Sequence, residues 1–126
     1  MKNRIIKLLV FDFDGTALGG HTPYDQFPRP FAKFLDELHR SGIRWATNTT
    51  WPPDAQFNVI KRSGVKSKPA FLTGQTGRSM ATVENNRLVT DVKHEKMVLS
   101  RDKRFKRKHW PAIRGILLSL LQKDSL

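Results

Sequence analysis

Two aspartates, Asp12 and Asp14, stand one residue apart at the end of an apolar run in LLVFDFDGTAL, residues 8–18. In a regular strand, residues two apart point to the same face, so both carboxylates would meet in one place. Two anions that close repel unless a proton or a cation sits between them. Mg²⁺ suits the position, because it takes oxygen ligands and phosphate-bearing substrates. A carboxylate so placed can also attack phosphorus and form an aspartyl-phosphate. Gly15 and Thr16 then break the strand and offer a backbone turn around a bound group. Calcium loops and plain turns use the same letters, so Asp-x-Asp-Gly alone leaves those alternatives standing.

Other chemistries find less support. The 126 residues contain no cysteine, which removes disulfides, thiolate metal sites and cysteine nucleophiles, and fits a reducing, cytoplasmic setting. His21, His39, His94 and His109 are scattered without metal-ligand spacing. Gly74, Gly77 and Arg78 in TGQTGR could form an anion-binding turn, but the lysine of a nucleotide loop is missing and a chain bend explains them as well. Trp45 and Trp51 are expected in the core, with stacking on an organic substrate as the alternative.

The elements that must position the aspartates alternate. Residues 4–12 read as a strand whose near-continuous hydrophobicity suits the middle of a parallel sheet. PFAKFLDELHRSG sets Phe31, Phe34, Leu35 and Leu38 at helical spacing, with Gly42 just past the end. IRWATNTT is a second strand, WPPDAQFNVIKRSG a second helix with prolines in its first turn, and PAFLTG a short third strand. A β-α-β-α-β order with short connections predicts an α/β fold with a doubly wound parallel sheet. Ligands in such sheets bind beyond the carboxyl ends of the strands. MATVENNRLVT then reads as a hairpin around Asn85 and Asn86, followed by a basic loop and a closing helix, PAIRGILLSLLQ, begun by Pro111.

Taken together, LLVFDFDGTAL resembles the first motif of the haloacid dehalogenase-like superfamily, mainly Mg²⁺-dependent phosphatases on a Rossmann-like fold. Thr47 in IRWATNTTWP is similar to the Ser/Thr that ends the second strand there, and the elements over roughly the first 75 residues follow family order. The resemblance implies a core over residues 1–76 and a cap-like α+β segment over 77–126. It implies Asp12 as nucleophile and metal ligand, and Asp14 as general acid and base whose backbone carbonyl touches the Mg²⁺. Thr47 would bind phosphoryl oxygens, with Asn48, Gly15 and Thr16 around a phosphorylated small molecule.

The family's later lysine and acidic pair have no clear counterpart before Leu126; the nearest candidates are Lys66 or Lys68, with Asp91 and Glu95. Without them the nucleophile and the substrate phosphate repel, and Mg²⁺ loses protein ligands. A weak or incomplete enzyme is therefore expected, to be completed by a further C-terminal segment or a complementing chain.

Charge suggests a rival from another class. The chain carries 23 Lys and Arg against 11 Asp and Glu, and residues 91–126 hold 10 of the basic side chains against 4 acidic ones. At its centre RDKRFKRKHW, residues 101–110, could grip a polyanion such as nucleic acid, with Phe105 and Trp110 stacking, or be a solvated loop. No apolar run approaches a membrane span, so no membrane partner is expected.

Overall fold

The computed structural model describes residues 5–19 and 25–124. Five strands form one mixed sheet in the order β1 (Leu8–Phe11), β2 (Arg44–Asn48), β3 (Leu72–Gly74), β4 (Ser79–Glu84) and β5 (Arg87–Thr90). The first three are parallel and the last two antiparallel, so the chain is α/β as expected, with a hairpin added to a parallel core. Helix α1 (Arg29–Arg40) crosses from β1 to β2, and α2 (Pro53–Arg62) from β2 to β3. The expected boundary at residues 76–77 falls in a single 3-10 turn, Gln75–Gly77, between β3 and β4, which pair directly. Strand β1 lies at one edge; among the described residues it pairs with β2 alone. His21 and most of the loop around it lie outside the described residues.

An aromatic cluster explains why these strands and helices associate. Phe11 stacks on Trp45 and meets Phe27 and Phe31 edge-on, with centroids 5.9, 5.9 and 5.0 Å away. Large rings bury most area per residue, and edge-on pairs add to that burial. Trp45 is fully buried and donates its indole N–H to the Ser67 hydroxyl at 2.9 Å, so the expected core role holds for this residue. Helix α1 ends as its sequence requires: Gly42 takes φ +80°, Ile43 N–H donates to Leu38 C=O at 3.0 Å, and Gly42 N–H donates to His39 C=O at 3.0 Å. Asn85 and Asn86 both adopt left-handed φ, 47° and 58°, the turn that a tight hairpin prefers.

The C-terminal region departs from expectation. The basic segment is not a loop, and no helix starts at Pro111; both belong to α3 (Val92–Asp124), which runs through that proline. Asp91 caps its first turn, accepting from His94 N–H at 2.9 Å. Lys, Arg, Met and Leu are strong helix formers, and Lys106 bonds Asp102 at 2.9 Å one turn away. These local preferences outweigh the hydrogen bond lost at Pro111. Helix α3 packs on β4 through its first turns.

Candidate active site at the carboxyl ends of the parallel strands

Strand β1 stops at Phe11 because the next residues fold into a tight turn. Phe13 C=O accepts N–H groups from Thr16, Ala17 and Leu18 at 3.1, 3.0 and 2.8 Å, and Gly15 supplies φ +70°. Phe13 is fully buried, whereas Asp12, Asp14, Gly15 and Thr16 are exposed around it. Buried Phe11 and Phe13 thereby hold the loop while both carboxylates face solvent. Asp12 opens into a cleft of about 750 Å³, lined also by Val10, Asn48, Thr49, Thr50 and Thr73. Asp14 is not part of that lining; its Oδ2 accepts the Trp51 indole N–H at 2.8 Å. Trp51 also packs edge-on against Phe13, so it serves the core and the rim together.

Thr47 requires correction. It pairs in register with Phe11 and Leu72, both core residues, and is fully buried. Its hydroxyl donates to Gln56 Oε1 in α2, so it has no atom in the cleft. Alternation along β2 accounts for this: Thr47 shares the face of Trp45, and Asn48 takes the other. Asn48 lines the cleft together with Thr49 and Thr50. Counting two residues from the aromatic Trp45 would have put Thr47 inside.

Gln56 is a further residue that sequence reasoning missed. Fully buried, it takes the Thr47 hydroxyl proton and donates to Trp51 C=O at 2.7 Å and Thr73 C=O at 3.1 Å. One amide thus ties the loop after β2 to the end of β3, the two walls of the cleft. Their approach is so close that a Cβ on Gly74 would lie 2.2 Å from Trp51 O. At the far rim, Gln75 and Thr76 hold left-handed φ of 52° and 58°, and His94 Nε2 meets Gly77 O at 2.9 Å.

The remaining sequence candidates are elsewhere. Lys66 and Lys68 lie in the connection entering β3, at the opposite end of the parallel strands from Asp12. There they line a larger cleft of about 810 Å³ beside α1. Its carboxylate Asp36 accepts Lys66 N–H at 3.1 Å and Ser67 N–H at 2.7 Å. Partial burial works to raise the Asp36 pKa, but the Ser67 and Lys66 hydrogen bonds and the lysine charge together hold it below the ordinary 3.8. Asp91 is a helix cap, and Glu95 lies in the same first turn of α3.

The donors at the strand ends are all oxygen: Asp12, Asp14, the Asn48 amide and the Thr49 and Thr50 hydroxyls. That chemistry fits a hard cation such as Mg²⁺, which needs only one or two carboxylates when a phosphate supplies the rest. Among the described residues no group of three or more His, Cys, Asp or Glu is placed to hold a metal.

No protein-family model and no curated protein matches the chain. Among solved structures it is similar to a candidate phosphatase from Eubacterium rectale, at 17% identity and a TM-score of 0.53. The match covers 85% of this chain but 38% of that one. A Streptococcus mutans protein matches at 16% identity and a TM-score of 0.45, covering 83% of this chain and 37% of that one. The first likeness concerns the fold: an α/β arrangement shared with a protein much longer than the aligned part.

Proposed function

We propose that this chain carries the first half of a haloacid dehalogenase-like active site, which hydrolyses a phosphate monoester through Asp12. The observation that supports it is one placement: an exposed carboxylate at the carboxyl end of β1, opening into a cleft with an amide and hydroxyl groups. Ligands of open α/β sheets bind there.

In this reading Asp12 attacks phosphorus, the bond to the ester oxygen breaks, and Asp14 gives the departing alkoxide its proton. Asp14 then takes a proton from water, which attacks the aspartyl-phosphate and releases inorganic phosphate with Asp12 regenerated. The Trp51 indole holds one Asp14 oxygen and leaves the other for that transfer. Asn48, Thr49 and Thr50 donate hydrogen bonds to phosphoryl oxygens, the part first expected of Thr47. Mg²⁺ held by Asp12 and Asp14 would offset the charge of the phosphate. No lysine lines the cleft among the described residues, so the charge on nucleophile and substrate is only partly balanced and turnover is slow.

The test is hydrolysis of an aryl phosphate by the full chain with and without Mg²⁺. A slow, Mg²⁺-dependent rate is expected, abolished in Asp12→Asn and lowered about 10²–10⁴-fold in Asp14→Asn through lost proton transfer. A rate that survives Asp12→Asn overturns the reading.

A further inference from the structure

We propose that α3 is a surface helix that docks this chain on an anionic lipid bilayer. Two exposed features adjoin on it. Arg101, Lys103, Arg104, Lys106, Arg107 and Lys108 form a cluster interrupted by Phe105 and by Asp102, whose charge Lys106 already meets. Immediately beyond, Trp110, Ile113, Leu117, Leu120 and Leu121 repeat at helical spacing and form an apolar stripe, widened by Ile116. Trp110 and the leucines of this stripe are 49–66% exposed, and from Lys103 to Lys123 only Ile113 is even half-buried. The stripe begins eight residues past Asp102, about 12 Å farther along the helix, clear of the sheet.

Each simpler occupant satisfies half of this surface. A nucleic acid would neutralise the cluster and leave the leucines in water. A second copy packed in parallel would cover the leucines and bring two basic clusters side by side, and an antiparallel one would leave both clusters without a counter-charge. An anionic bilayer takes both: headgroup charge faces the Lys and Arg side chains, the stripe enters the acyl boundary, and Trp110 sits at the junction where indoles favour the interface. Residues 110–121 extend about 18 Å, short of the roughly 30 Å hydrocarbon thickness, so the helix lies in the interface. No helix among the described residues is long and apolar enough to cross a membrane. Sequence alone pointed away from a membrane on that ground of length; a surface helix needs no such length, and the cluster and the stripe become one element only once the segment is seen to be helical.

Flotation of the full chain with phosphatidylcholine vesicles, with and without phosphatidylserine, tests this. Binding to the phosphatidylserine vesicles is expected, about tenfold or more weaker on phosphatidylcholine alone and weakened by salt. It is expected to fall by about tenfold or more in Leu117→Asn/Leu120→Asn, whose exposed side chains lie clear of the sheet. A blue shift in emission, present in the parent and absent in Trp110→Phe, is expected to place that indole in lipid. Failure to bind either vesicle overturns the proposal, as does undiminished binding by the double variant, which would reduce α3 to a polyanion contact. A vesicle-free dimer in sedimentation velocity that the same two substitutions dissolve would assign the stripe to a second copy and equally overturn it.

Discussion

The sheet with its two crossover helices and the distal half of α3 obey different rules. In the first, aromatic side chains interlock, and no buried side-chain polar atom among the described residues lacks a partner. In the second, a helix holds its shape through local preferences and presents nearly every side chain to solvent. The contrast teaches that one chain can specify structure by packing in one place and by propensity in another. Substitutions should reveal which rule governs each position.

Trp45→Ala should have the largest effect. It removes a fully buried ring from the aromatic cluster and should cost about 3–5 kcal/mol in chemical denaturation, whereas Leu117→Ala on α3 should leave the midpoint unchanged. Gln56→Leu comes next, at about 1–3 kcal/mol, because the Thr47 hydroxyl and the Trp51 and Thr73 carbonyls lose a buried partner.

Two glycines sharpen the comparison further. Gly74→Ala forces a methyl against Trp51 O and should lower stability by about 1–3 kcal/mol, with the cleft walls displaced. Gly115→Ala meets nothing within 4 Å and should instead raise helicity, by up to about 1 kcal/mol in the helix itself, read by circular dichroism. Equal effects at both positions would erase the distinction between the regions.

The smallest effect concerns acid. The Asp36 carboxyl has a folded pKa below its ordinary value, so its contribution to stability is present above that value and is lost as pH falls through the folded pKa. Acid titrations of parent and Asp36→Asn should therefore converge below about pH 4. A constant difference down to the lowest pH would break the assignment.

Local signals were legible in the sequence. The β1 run, the Phe31 and Leu35 spacing closed by Gly42, and the Asn85–Asn86 turn each write their structure in a few adjacent residues. Asp12, Gly15, Thr16 and Asn48 occupy exposed positions near the strand ends. What escaped depended on phase and distance. Thr47 and Asn48 differ by one residue and face opposite ways; the phase set by Trp45 two residues earlier places Thr47 inside, and its pairing with Phe11 agrees. Gln56 looks like an outward polar residue until the loops that need its amide come together. The basic segment lacks an apolar period and Pro111 imitates a start signal, so the sequence there reads as a loop followed by a helix although the structure forms one continuous α3.

The edge position of β1 bears on how the protein reaches its fold. The hairpin joins Glu84 to Arg87 and can close within microseconds, whereas Leu8 must find Arg44 across the whole of α1. Until it does, IIKLLVF, residues 5–11, is an unpaired, strongly β-prone heptapeptide with one charge, Lys7, to deter its neighbours. In the folded sheet, one side of that strand pairs with no other strand among the described residues. Recovery from denaturant should accordingly depend on concentration, with intermolecular strand pairing competing against a slow intramolecular search, and a second charge in place of exposed Ile6 should relieve it.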